Sequence, residues 1–140
     1  MTTRLTPYLQ FDGDAAEAMR YFASVLGGEL QLMTFGDMGG MGLPEDQHGR
    51  VMHAALVVDD AISLMGADSG GMDGSPMGDR TQTFLALSGE DAERLRGWYE
   101  ALAADGTVEV PLEQAPWGDS FGQVQDRWGH HWMINIAGTA

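Results

Sequence analysis

Four histidines and no cysteine limit what this 140-residue chain can do chemically. Without cysteine there is no disulfide framework and no thiolate nucleophile. His130 and His131 stand side by side and look like a metal pair. Adjacent residues of a strand point to opposite faces, however, so the two cannot converge on one ion, and at least one is expected to be structural. By the same parity His131, Met133 and Asn135 share one face of a closing strand, and His130, Trp132 and Ile134 the other. His53 sits in an apolar run and has two readings. It is a core histidine bonded to backbone or carboxylate, or it lies in a site with Asp68 as a proton carrier or oxygen-ligand binder. Asp68 also has a plainer use, capping the turn after its strand.

Trp117, in the loop APWGDS, either closes the core end of a sheet or forms a wall of a binding site. Met38, Met41, Met72 and Met77 lie in glycine-rich loops, where thioethers fill irregular shapes and can serve as adaptable lids. The runs GDMGGMG and GADSGG are not phosphate cradles, because no helix follows either. G-x-S-x-G is absent, which removes that serine-nucleophile signature.

The elements that must position these residues come twice. Tyr8–Leu26, YLQFDGDAAEAMRYFASVL, aligns without a gap on Phe84–Leu102, FLALSGEDAERLRGWYEAL, at an offset of 76. Tyr8 meets Phe84, Gly13 meets Gly89, Glu17 meets Glu93, Arg20 meets Arg96 and Phe22 meets Trp98. Two copies at this spacing are one duplicated module rather than a solenoid array. In the first copy, Leu5–Phe11 reads as a strand and Asp12 as the N-cap of a helix that buries Ala15, Ala18, Met19, Phe22, Val25 and Leu26. Gly27-Gly28 ends that helix as a left-handed C-cap, Glu29–Phe35 is a strand, and 36–49 a mobile loop. Arg50–Val58 and Ala61–Ala67 form a hairpin turned at Asp59-Asp60, and 68–80 is a second loose segment.

In the second copy Gln82–Leu87 is the strand. Ser88 is its helix N-cap, and Ala92, Leu95, Trp98, Tyr99 and Leu102 are the buried helix face. Thr107–Leu112, Phe121–Asp126 and His130–Ile136 complete it. Each copy is strand, helix, strand, strand, strand, which predicts an α+β fold of two tandem βαβββ modules, about 4–68 and about 81–137, within one domain spanning 1–140. No linker separates the modules, so they are expected to share a core.

Twenty-one acids against seven bases give a net charge of −14. Such a surface repels nucleic acid and anionic membranes alike. No run reaches the ~20 apolar residues of a membrane helix, and the N-terminus lacks a basic-then-apolar leader. The expectation is a soluble, cytoplasmic protein, and 44% hydrophobic residues argue for a packed core.

A duplicated βαβββ unit resembles the vicinal oxygen chelate superfamily, which includes glyoxalase I, extradiol dioxygenases and bleomycin-binding proteins. The runs Thr6–Gly28, the His53 strand, Gly66–Asp68 and above all Pro116–Ile136 (PWGDSFGQVQDRWGHHWMINI) are similar to its PhnB-like branch. The resemblance covers nearly the whole chain. It implies curved mixed sheets around a pocket and a homodimer. It also implies four metal positions, two per module, which fall on Pro7, near Leu64 or Gly66, near Gln82, and on Met133. Only Gln82 among these offers an oxygen donor, well short of a catalytic metal's needs. The methyltransferase label that PhnB-like sequences sometimes carry has no glycine-rich strand-to-helix turn to support it.

The reading is a small-molecule binding protein with no metal at the standard positions and no cofactor. Tyr8, His53, Gln82, Trp117, Met133 and Asn135 are its expected ligand contacts, although the aromatics Tyr8 and Phe84 would be core by default. The alternative is a divalent-metal lyase, isomerase or dioxygenase with relocated ligands at His53, Asp68 and Gln82. A dimeric scaffold is the third and plainest reading.

Overall fold

A computed structural model describes residues 3–68 and 80–138. The chain divides into two compact units, 1–78 and 79–140. Among the described residues each has one four-stranded mixed sheet with one helix packed on it, and neither sheet closes into a barrel. Met72 and Met77 lie outside the described residues.

In the first unit β1 (Tyr8–Gln10), α1 (Ala15–Leu26), β2 (Glu29–Thr34), β3 (Val51–Val57) and β4 (Ser63–Ala67) form a sheet of order β1-β4-β3-β2. β1 is shorter than the pattern suggested, since Pro7 has no N–H and contributes only its carbonyl, to Met65 N at 2.9 Å. The apolar spacing of α1 buries Ala15, Ala18, Met19, Phe22 and Leu26 against the sheet. Its start differs from the sequence reading. Asp14, not Asp12, holds the N-cap position, and its side chain makes no cap bond. Asp12 instead pairs with Arg50 at 2.8 Å.

After α1, Gly27 and Gly28 both take positive φ. Gly27 has φ +80° but ψ −162°, so the stop is not the left-handed helical cap expected. At Gly28 a Cβ would sit 2.3 Å from the Val57 carbonyl oxygen, so only glycine fits. The pairing of β2 with β3 slips between Met33 and Thr34, leaving Met52 as an extra residue. That bulge puts Val51, Ala54 and Leu56 in the core while His53 and Ala55 face the other way. The β3–β4 hairpin turns where expected, with Asp59 Oδ1 accepting from the N–H groups of Ala61 and Ile62.

The segment between β2 and β3 is more built than its composition suggested. It holds two short 3-10 turns, Gly36–Met38 and Glu45–Gln47. His48 ties it together: Nε2 lies 3.0 Å from the Leu43 carbonyl, and a Cβ on Gly40 would meet the imidazole at 2.5 Å.

In the second unit β5 (Phe84–Gly89), α2 (Ala92–Asp105), β6 (Thr107–Gln114), β7 (Ser120–Gln125) and β8 (His131–Ile136) repeat the plan in the order β5-β8-β7-β6. The α2 cap is Asp91, which accepts from Arg94 N at 3.1 Å; Ser88 belongs to β5. Leu95, Trp98, Tyr99 and Leu102 face the sheet, whereas Ala92 is exposed. They pack against a strict alternation in β8, where Trp132, Ile134 and Ile136 are buried.

Candidate functional site

Once each helix covers one face of its sheet, chemistry is left to the opposite, open face. On the first sheet the alternation of β1 and the bulge in β3 bring Tyr8 and His53 there. Tyr8 is 45% exposed despite being aromatic, and its hydroxyl lies 3.0 Å from His53 Nδ1 with the rings tilted by 34°. Met33 is the cross-strand neighbour of His53, and Met65 that of Tyr8.

Asp68 is not part of this group. It is buried at the end of β4, where Oδ1 accepts from Gly13 N at 2.7 Å and Ala15 N at 3.0 Å, and Oδ2 accepts from Val51 N at 2.9 Å. Its carboxylate therefore caps α1 from across the sheet and pins the start of β3. The proposed His53–Asp68 pairing is corrected: His53's partner is Tyr8, and Asp68 spends both oxygens on backbone amides.

On the second sheet the open face carries Phe84, His131, Met133, Gln123, Phe121 and Asn135 in register. Phe84, 54% exposed, stacks on His131 with centroids 4.3 Å apart and an interplanar angle of 15°. His131 contacts Glu109 Oε1 through Nδ1 and lies 2.8 Å from the Thr81 carbonyl through Nε2. Gln123 donates to the same Glu109 oxygen at 3.0 Å. These bonds, Gln123's first and His131's next, hold the Glu109 carboxyl below the usual carboxylate range. Asn135 donates to Asp119 Oδ2 at 3.1 Å, and Gly138 N to Oδ1 at 2.8 Å; the amide of Gly138, then that of Asn135, lower the Asp119 carboxyl likewise.

The parity reading of β8 matches this placement, with Met133 and Asn135 on the face of His131. His130 is structural. It is buried, with Nδ1 3.0 Å from Asp126 Oδ2, and the same oxygen accepts from Trp132 Nε1 at 2.8 Å. Asp126 Oδ1 takes the amides of Trp128 and His130, so one carboxylate ties the β7–β8 turn together. Gln82 lies exposed in a 3-10 turn, Arg80–Gln82, ahead of β5 rather than on it. Trp117 does not close the core: it is 72% exposed. Its turn is fixed by Ala115 N to Asp119 O at 2.6 Å and Gly118 N to Ala115 O at 2.9 Å.

Glu109, Gln123, Asp126 and Asp119 were missed in the sequence. Alternation along Thr107–Val110 and Phe121–Gln125 would have put Glu109 and Gln123 opposite their apolar neighbours. The D-R-W-G spacing is an Asx-turn signal for Asp126.

The metal positions implied by the resemblance do not fit a cation. Leu64 is buried, a Cβ on Gly66 would crowd Leu9, Phe11 and Met19, and Met133 is a thioether. Among the described residues no three His, Asp or Glu side chains gather as ligands.

A family model described as Glyoxalase/Bleomycin resistance protein/Dioxygenase superfamily matches residues 4–134. Protein YjdN of Escherichia coli K12 is 30% identical over 147 residues, covering 94% of each chain. An uncharacterized protein of Mycobacterium tuberculosis H37Rv is 30% identical over 137 residues, 93% of this chain and 72% of that one. Among solved structures, protein PA1353 from Pseudomonas aeruginosa matches with TM-score 0.80 and 32% identity over 96% of this chain and 98% of its own. A Bacillus cereus PhnB protein, titled a putative 3-demethylubiquinone-9 3-methyltransferase, has the same fold, with TM-score 0.72 and 23% identity over 96% of this chain and 100% of its own.

Proposed function

The chain belongs to the Glyoxalase/Bleomycin resistance protein/Dioxygenase superfamily, and from that premise we propose that it is a small-molecule binding protein. Its ligand contacts lie on the open sheet faces, and the superfamily's standard metal positions hold no metal. One observation carries this reading. At the same position of the repeat, each unit sets a half-exposed aromatic ring beside a histidine: Tyr8 with His53, and Phe84 with His131. An aromatic left half in water forgoes burial worth about 1 kcal/mol or more, and such a ring next to a polar group is what an organic ligand's flat face and edge require.

The relocated-metal alternative receives no support from its named residues, because the amides of Gly13, Ala15 and Val51 engage Asp68. A thermal-shift screen of flat organic compounds tests the proposal. Ligands that raise the midpoint of the wild type by several degrees should lose that effect in Tyr8→Ala or Phe84→Ala. A hit whose shift is unchanged in both variants would place binding elsewhere. A screen with no hits would remove the reading.

A further inference from the structure

The two pairs of ring and histidine differ in what they leave for a ligand. In the second unit the imidazole is spent: His131 engages Glu109 through Nδ1 and lies 2.8 Å from the Thr81 carbonyl through Nε2. Phe84 has no hydroxyl, so that pair offers ring faces and no hydrogen-bonding edge. In the first unit the pair bonds to itself. Tyr8 Oη lies 3.0 Å from His53 Nδ1, and among the described residues neither the hydroxyl nor His53 Nε2 has a further hydrogen-bond partner. Both side chains are partly exposed.

The bond between them can run in either direction, and a ligand meets the same arrangement each time. If the hydroxyl donates to Nδ1, a neutral imidazole carries its proton on Nε2, so the histidine end donates and the tyrosine oxygen accepts. If Nδ1–H donates to the tyrosine oxygen, Nε2 holds a lone pair and the hydroxyl proton is free, so the ends exchange roles. One end always donates while the other accepts. Imidazole nitrogens point apart, so groups meeting the two ends stand about 5–8 Å from each other, roughly the span of a para-substituted benzene. Met33 beside His53 and Met65 beside Tyr8 add thioethers, which suit an aromatic ring.

We propose that the Tyr8–His53 pair recognises an uncharged aromatic compound with a hydrogen-bond donor at one end and an acceptor at the other, a phenol with a carbonyl para to it being the simplest case. This names the ligand class of the small-molecule reading and rests on it. A carboxylate offers acceptors alone, and a net charge of −14 repels it. Phe84 supplies stacking that takes no account of a ligand's polar groups.

The test is an NMR titration of the full chain with 4-hydroxyacetophenone, following the Tyr8 and His53 ring signals. Two analogues each remove one end: 4-methoxyacetophenone lacks the donor, and 4-ethylphenol lacks the carbonyl. We expect 4-hydroxyacetophenone to bind at least ~3-fold tighter than either, one hydrogen bond spanning ~2–12-fold. That preference should disappear in Tyr8→Phe and in His53→Leu, each of which leaves a single end. Tyr8→Phe alters one exposed hydroxyl, so the comparison survives if His53→Leu folds poorly. Equal affinity for the three compounds, or a preference that persists in Tyr8→Phe, would overturn the proposal and leave the small-molecule reading standing. Ring signals unmoved by all three at millimolar concentration would overturn it too, and the small-molecule reading falls with it only if the wider thermal-shift screen is also empty.

Discussion

Replacing Asp68 tests the most specific structural claim, that a carboxylate at the end of β4 caps α1 from across the sheet. Asp68→Ala removes three hydrogen bonds of 2.7, 3.0 and 2.9 Å and strands three amides, two of them in buried contacts. A bond to an ionised group is worth about 1.5–3 kcal/mol. Three sum to about 4.5–9 kcal/mol, which overstates the loss because water can reach the partly buried Gly13 side, so about 4 kcal/mol is expected. That is a large share of the ~5–15 kcal/mol holding a domain of this size. Asp68→Asn keeps one acceptor but turns an NH2 toward a donor, and should cost about half as much. Asp12→Ala breaks only a half-exposed ion pair with Arg50 and should cost less than about 1 kcal/mol. Urea unfolding suits the comparison: with a slope near ~2 kcal/mol per molar, Asp68→Ala shifts the midpoint by about 2 M. All four tryptophans, at 98, 117, 128 and 132, lie in the second unit, so far-UV circular dichroism is the proper probe. If Asp12→Ala costs as much as Asp68→Ala, or if Asp68→Ala costs under about 1 kcal/mol, the cross-sheet cap is wrong.

Asp126 should show in the acid limb of stability. Burial alone would raise its pKa, but the hydrogen bonds from His130 and Trp132 outweigh burial and hold it low. A depressed folded pKa stabilises above the unfolded value near ~3.9 and is lost as pH falls through the folded one. The stability gap between wild type and Asp126→Asn should therefore shrink below about pH 4, and a gap constant from pH 7 to 2.5 would count against that linkage. Gly28→Ala should cost over ~2 kcal/mol, since its Cβ would meet Val57 O at 2.3 Å, whereas Gly27→Ala, with φ +80° but open space, should cost about 1 kcal/mol. Denaturation midpoints of the pair check the difference. Tyr8→Phe deletes the hydroxyl facing His53 and should change stability by less than about 1 kcal/mol while weakening any screened ligand that uses it. Light scattering is expected to give twice the 15.1 kDa chain mass if the homodimer implied by the resemblance forms.

The frame was legible because it rests on periodicity. The 76-residue repeat, the apolar faces of both helices and the alternation of β8 each report which side of an element meets a core. What was not legible depends on partners far apart in the chain. Asp68 caps a helix 53 residues upstream, and nothing local distinguishes it from a turn residue. Asp12 and Ser88 look like N-caps by residue type, yet the chain enters each helix two or three residues later. His53 could be placed on a face only with the bulge at Met52, a one-residue slip that sequence parity cannot see. Of the two readings of Trp117 only core closure is excluded, because its well-bonded turn holds the ring outward.

The duplication also separates what ancestry explains from what it does not. Tyr8 and Phe84 are the same position of the repeat, so their shared aromatic character needs no other cause. The histidines beside them are different positions. Tyr8 pairs with Met65 across the parallel strands as Phe84 pairs with His131, which makes Met65 the counterpart of His131. Ala55 faces Met65 and Gln125 faces His131, so counting two residues back along β3 and β7 makes Gln123 the counterpart of His53. One unit thus brings its histidine from the third strand of the repeat and the other from the fourth. The helix-facing sides have less freedom: Ala54 and Val124, and Phe11 and Leu87, are equivalent positions and all are buried and apolar. On the open faces the residues have changed while the pairing of an exposed ring with an imidazole has been reached by two routes. Neither helix packing nor the alignment of the two copies accounts for that pairing, which is why the proposed ligand contacts are drawn from these faces.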